Sequence, residues 1–182
     1  MNLLKGEIMP LSLSEEVAEI YFRRKGYFVT RNLSYLVKRQ GKKQAGNLDI
    51  DVLAVKGKEA VVVSCKRGSL RTKQEEGELE RFKLAVDYIT GDSLWKSAMD
   101  GCFIEKMYVA EHVTRHNREF FENHGIKVIE LKEMVHKLIE LLRDEMINQE
   151  QKMLDGAETK VLPKILKFMI KHDLIKTERE KL

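Results

Sequence analysis

Residues 47–67, NLDIDVLAVKGKEAVVVSCKR, contain two apolar or alternating runs, Leu48 to Val55 and Ala60 to Cys65, with Lys56-Gly57-Lys58-Glu59 between them. β-Branched runs flanking a glycine-centred turn spell a β-hairpin. Side chains alternate along a strand, so Asp49 and Asp51 are expected on one face of the first strand. Ser64 and Lys66 are expected on one face of the second. Two carboxylates and a lysine at the ends of paired strands are costly inside a core unless they meet a divalent metal and a phosphate.

Before the hairpin, Ser12-Leu13-Ser14-Glu15 fits a capping box, with Ser12 as N-cap and Glu15 at the third helical position. The helix it opens runs to about Lys25, buries Val17, Ala18, Tyr21 and Phe22, and closes at Gly26. Tyr27 to Val37 is strand-like. Residues 38–46, KRQGKKQAG, are basic with two glycines and no acid, and read as a loop abutting the hairpin. After the hairpin comes a second positive stretch, Arg67 to Arg71. Thr72-Lys73-Gln74-Glu75 offers another capping box, for a helix through about Thr90 whose stripe is Leu79, Phe82, Ala85, Val86 and Ile89. Gly77 inside that helix costs about 1 kcal/mol against alanine. A short helical piece over Ser93 to Met99 follows, then a strand from Phe103 to Ala110. Thr114 caps a helix to His124, Gly125 stops it, and Ile126 to Leu131 forms a last strand. From Lys132 a helix runs to about Met153, and Pro163 opens a short one beyond Asp155-Gly156.

With 182 residues, 43% of them hydrophobic, the chain can bury a core. The expected organisation is one domain over residues 1–131 and a helical extension over residues 132–182, the latter too short for a winged-helix module. The net charge of +4 is modest for a nucleic-acid binder, so the placement of the charges matters more than their sum. Charged residues make up 34% of the chain, a Lys- and Glu-rich pattern shared with thermophiles. Cys65 and Cys102 lack metal-type spacing and read as reduced, buried thiols. No apolar run approaches 18 residues and no secretory leader is legible, so a cytoplasmic protein with no membrane partner is expected.

Asp49-Ile50-Asp51-Val52-Leu53-Ala54 followed by Val61-Val62-Val63-Ser64-Cys65-Lys66 resembles the PD-(D/E)xK nuclease motif. The likeness is greatest to the Mrr-type and archaeal Holliday-junction-resolvase branches. Met107 to Leu131 resembles the second half of the Mrr-type domain, so matching pieces span Ser12 to Leu131 in the order αβββαβαβ. The resemblance implies an α/β, restriction-endonuclease-like core: a central mixed β-sheet flanked by helices, here with a C-terminal helical appendage. It further implies a Mg²⁺- or Mn²⁺-dependent DNA endonuclease. Asp51 would be the first metal ligand, Cys65 would supply a backbone carbonyl, Lys66 would orient the attacking water, and Asp49 would assist. A glutamate eleven residues before the family's "G-Y" supports the metal, and that position is Glu15, which plain capping also explains. Beside such a site Lys38, Arg39, Lys42, Lys43, Arg67 and Arg71 are candidates for DNA phosphate contact.

Ser64 departs from the pattern, since the family has an acid two before the lysine. A hydroxyl replaces a carboxylate poorly, because Mg²⁺ wants hard anionic oxygen. Either the site is inactive and the chain is a DNA-binding or protein-interaction module, or a carboxylate arrives from elsewhere. One branch of restriction enzymes has "S-x-K" and a glutamate about fourteen residues past the lysine, which here is Glu80. Glu75 and Glu76 are the rivals by helical phase. An active site with a relocated acid is the expectation, with a homodimer matching the two-fold symmetry of a duplex. An RNA substrate is the weaker alternative. His112 and His116 are four apart, but Thr114 as an N-cap falls between them and no third zinc ligand stands out. Trp95 and Tyr108 are assigned to the core.

Overall fold

The computed structural model describes residues 12–37, 46–91 and 94–148. In chain order the elements are α1 (Leu13–Arg24), β1 (Phe28–Val37), β2 (Gly46–Lys56), β3 (Glu59–Lys66), α2 (Thr72–Thr90) and α3 (Lys96–Met99). They continue with β4 (Phe103–Ala110), α4 (Arg115–Asn123), β5 (Ile126–Glu130) and α5 (Leu131–Asn148). The five strands form one mixed sheet in sequence order, antiparallel from β1 to β3 and parallel from β3 to β5. It is an α/β fold.

Local chemistry accounts for the joints. Lys56 pairs with Glu59, leaving a two-residue turn in which Gly57 takes φ +58, the geometry such hairpins require at that position. Ser12 caps α1 and Thr114 caps α4, each accepting from the backbone N–H three residues on. α2 starts one turn position earlier than its sequence suggests. Arg71 stands at the cap, and the Gln74 side chain accepts from the Arg71 N–H at 2.9 Å. Glu75, expected as the capping acid, is instead wholly buried.

The sheet has two covered faces. On one, Val52, Val63, Cys65 and Val109 pack against Val17 and Phe22 of α1 and Met134 and Leu138 of α5. On the other, Leu53, Val62 and Tyr108 pack against Phe82 and Ile89 of α2 and Phe121 of α4. Tyr108 stacks on Phe121 with ring centroids 4.6 Å apart. Leu131 and, beyond the boundary expected after it, Met134, Val135 and Leu138 are buried in the α1 face. The rest of the expected extension, residues 149–182, lies outside the described residues. Among the described residues no helix is long and apolar enough to cross a membrane.

The first two strands share an irregularity. Val29 and Tyr35 on β1, an even number of residues apart, lie on opposite faces, and so do Ile50 and Val52 on β2. Both strands change face together at Asn32 and Asp51, the one pair missing from an otherwise continuous register. Asn32 has φ 48, a left-handed conformation that asparagine tolerates better than most residues.

Candidate active site

The site grows out of that shared change of face. β2 and β3 pair from Lys56↔Glu59 up to Val52↔Val63 and then part, while β3 continues to Lys66 against β4. The fork leaves β3 backbone groups facing β2 without a ladder partner. The Asp51 side chain fills part of this gap, its Oδ2 accepting from the Cys65 N–H at 2.7 Å. In a strand the N–H and C=O of one residue face the same neighbour, so the Cys65 carbonyl lies along this edge as well.

The face change also separates the two aspartates, which a regular strand would keep together. Asp49 is exposed; its carboxylate accepts from Ser34 Oγ across the β1–β2 pair. Period-two alternation fails here because Asp51 occupies the irregular position. Asp49 contributes to the site through its backbone carbonyl, which accepts from Arg81 Nη2 at 3.2 Å.

The second carboxylate comes from α2, and it is Glu78. Its Oε1 accepts from Ser64 Oγ at 2.6 Å, and it is only 5% exposed. Glu80, the residue expected at this place, is exposed and lines a separate groove of about 460 Å³ with Leu79, Lys83, Val86 and Lys106. Glu76 is exposed too. The inward face of α2 is Glu75, Glu78, Phe82, Ala85 and Ile89. Setting the helical phase from Leu79, which is only half-buried, hides Glu78; setting it from Phe82 puts Glu78 one turn back on the same face. Phe82 is therefore the signal in the sequence that could have found Glu78. The Leu79 phase conceals Arg81 in the same way.

Around these oxygens the charges balance. Lys66 Nζ donates to Ser64 Oγ at 2.9 Å and sits 3.3 Å from Glu78 Oε2 and 3.6 Å from Asp51 Oδ2. Arg81 approaches from the other side, with Nη1 3.3 Å from Glu78 Oε2 and Nη2 3.9 Å from Asp51 Oδ1. Ser64 Oγ also lies 3.2 Å from Asp51 Oδ2. A hydroxyl has one proton, and the shorter contact to Glu78 takes it. The approach to Asp51 is then one of two acceptor oxygens, tolerable because cations stand beside both. Tyr35 lies nearby, stacked on Tyr88 at 4.7 Å. Burial pushes its hydroxyl up to about 12; Arg81 opposes the rise and the charges of Asp49, Glu78 and Asp51 add to it.

Glu15 lies on the α1 side of β3. Its backbone N–H is capped by Ser12 Oγ at 3.3 Å, so the capping role expected of this segment is present. Burial, then the charges of Asp51 and Glu15, push the Cys65 thiol well above its ordinary pKa. Arg67 and Arg71 are exposed at the ends of the loop joining β3 to α2. That loop is held from behind: Tyr108 Oη donates to the Gly68 carbonyl at 3.4 Å and Asn117 Nδ2 to the Leu70 carbonyl at 2.9 Å. Lys38, Arg39, Lys42 and Lys43 lie outside the described residues. His112 is exposed, whereas His116 Nε2 meets Glu75 Oε2 at 3.1 Å, so the two histidines do not share a partner. Trp95 is half-buried and Tyr108 fully buried.

Among the described residues, no three His, Cys, Asp or Glu side chains form a group able to hold a metal. What converges is a smaller set of hard oxygens: two carboxylates, Asp51 and Glu78, one hydroxyl, Ser64, and the Cys65 carbonyl edge. This matches the donor type of Mg²⁺, which is commonly held by one or two carboxylates with water and substrate phosphate completing its shell.

No family model and no curated protein matches this chain. Among solved structures, protein VC1899 from Vibrio cholerae is 16% identical with a TM-score of 0.48, over 72% of this chain and 31% of that one. A protein of unknown function, AF1548, is 16% identical with a TM-score of 0.48, over 86% of this chain and 79% of that one. The EndoMS–dsDNA2 complex is 17% identical with a TM-score of 0.32, over 72% of this chain and 49% of that one. The chain thus spans about a third of VC1899 and half of EndoMS, and it is distantly similar to all three.

Proposed function

We propose that this protein is a metal-dependent DNA endonuclease of the restriction-endonuclease-like type, with its motif acid moved from β3 to Glu78 on α2. One observation carries the reading. Asp51, from β2, and Glu78, from α2, converge on the hydroxyl of Ser64, the residue that stands where the motif acid is expected. Lys66 is held within 3.6 Å of both carboxylates.

Each residue then has a task. Asp51 and Glu78 would hold Mg²⁺ or Mn²⁺, with the Cys65 carbonyl on the same edge. The ion supplies Lewis-acid stabilisation of the phosphoryl oxygens and lowers the pKa of bound water. Ser64 fixes the Glu78 carboxylate through its single proton, which keeps the relocated acid in one orientation. Lys66 orients the attacking water and offsets charge that develops on the phosphate. Arg67 and Arg71, with Lys38, Arg39, Lys42 and Lys43, would take backbone phosphates. Two copies related by a two-fold axis would present two such sites to a duplex.

A second reading has its own support. Lys66 and Arg81 already face both carboxylates, Glu78 and Asp51, as in a closed ion-pair network that binds DNA or a protein without cutting. Cleavage decides between them. Labelled duplex, branched, single-stranded DNA and RNA substrates are incubated with Mg²⁺ or Mn²⁺ and wild type, Asp51→Ala, Lys66→Ala, Glu78→Gln or Glu80→Gln protein. The nuclease reading expects cutting by wild type and Glu80→Gln alone. DNA binding with no cutting under any metal would establish the second reading.

A further inference from the structure

Among the described residues Arg81 is a cation at the site that the proposed chemistry does not use. It is on the third residue after Glu78, on the inward flank of α2, and its guanidinium reaches three partners on two elements. These are Glu78 Oε2 at 3.3 Å, Asp51 Oδ1 at 3.9 Å and the Asp49 carbonyl at 3.2 Å. Two of the three are the carboxylates that would hold the metal. Asp51 is shared in a particular way: Oδ2 faces Lys66 and the Cys65 N–H, whereas Oδ1 faces Arg81. On Asp51 the oxygen left over by the lysine is thus the one the arginine covers, and on Glu78 both cations meet Oε2.

We infer that Arg81 is an internal counter-cation seated at the metal position, which a divalent ion must displace before it can bind Asp51 and Glu78. The inference rests on the nuclease reading of the same site. Electrostatics gives it direction. Two carboxylates facing Lys66 and Arg81 sum to zero charge. Adding a divalent ion would leave two net positive charges in a half-buried pocket, which is unfavourable until a phosphodiester supplies negative charge. Arg81 therefore weakens metal binding by the free protein and couples it to the arrival of DNA. By linkage the metal must raise DNA affinity by the same factor. Once displaced, the long side chain, about one-third exposed at present, is free to swing towards the incoming phosphate. Arg81 is a positioning residue in this scheme, not a catalytic one.

The test reads metal binding rather than turnover. Mn²⁺ is titrated into the DNA-free protein and free ion is followed by electron paramagnetic resonance, for wild type, Arg81→Ala, Arg81→Gln and the double variant Arg81→Gln/Asp51→Asn. Circular dichroism melts verify that each is folded. Arg81→Gln keeps a shorter, neutral, hydrogen-bonding side chain, so it remains informative where Arg81→Ala unfolds. We expect both single variants to bind Mn²⁺ at least about tenfold more tightly than wild type, and the double variant to lose that gain. Equal affinity in wild type and the single variants overturns the inference while leaving the nuclease reading intact. No Mn²⁺ binding by any of them also overturns the inference, makes Arg81 a permanent ion-pair partner, and leaves the nuclease reading to the cleavage assay.

Discussion

Two glutamates sit three residues apart on the inward face of α2, both buried, and they have different partners. Glu75 is 0% exposed. Its Oε1 accepts from Asn117 Nδ2, and its Oε2 meets His116 Nε2 at 3.1 Å. Asn117 also holds the Leu70 carbonyl, so this carboxylate is bound into the seam between α2, α4 and the β3–α2 loop. Glu78 is nearly as buried, but its partners are a hydroxyl, a lysine and an arginine at the open fork of β2 and β3. Burial therefore does not separate a structural carboxylate from a chemical one. The partners do. A neutral amide on a closed seam fixes a loop, whereas two cations beside a second carboxylate form the ion-pair network on which the proposed metal exchange rests.

That contrast can be broken in several ways. The largest expected effect is on cutting. Glu78→Gln should lower metal-dependent cleavage at least about a hundredfold, while Glu75→Gln, corrected for the folded fraction, should keep the rate within about tenfold of wild type. Equal losses per folded molecule would erase the distinction. Stability should follow the reverse order. Asn117→Ala strips the amide from a fully buried carboxylate and should cost about 3 kcal/mol in urea unfolding. Ser64→Ala leaves Glu78 with Lys66 and Arg81 and should cost about 1 kcal/mol. A larger loss at Ser64 would mean that the hydroxyl, not the cations, keeps Glu78 buried.

The geometry that brings Asp51 to the fork can be probed at its partner position. Asn32→Val forces a β-branched residue into a left-handed conformation and should cost about 2 kcal/mol, whereas Asn32→Gly should be close to neutral. A stable, active Asn32→Val protein would show that the shared face change of β1 and β2 is not needed to aim Asp51. Below the site, Cys65 gives a pH readout. Its thiol pKa is raised in the folded state, so its contribution is intact below the unfolded thiol value of about 8.5 and falls as pH rises beyond it. Wild type should lose about 1 kcal/mol relative to Cys65→Ala between roughly pH 8.5 and 9.5. Matching pH profiles would mean that the thiol does not titrate differently in the folded protein. The smallest effects belong to the outward face of α2: Glu76→Gln and Glu80→Gln should change stability by less than about 0.5 kcal/mol and leave cleavage unaltered.

Much of this molecule is set locally and can be read from the chain. The hairpin follows from β-branched runs around Gly57, the helix starts from Ser12 and Thr114, and the stop of α4 from Gly125 (φ 67). Those signals act within a few residues, so neighbouring residue types suffice to determine them. The placement of Asp51 beside Lys66 is legible for the same reason, since the two strands carrying them are joined by a tight turn. What tertiary structure alone decided lies across elements. Helical phase can be anchored on Leu79 or on Phe82, and only the packing of α2 against the sheet chooses Phe82, turning Glu78 and Arg81 inward and Glu80 outward. Asp49 and Asp51 part company because β1 and β2 change face together at Asn32, a distortion that belongs to the pair of strands. A chain fixes which charges it has; where a carboxylate meets a lysine from another element depends on how apolar faces find each other, and that is a global property of the fold.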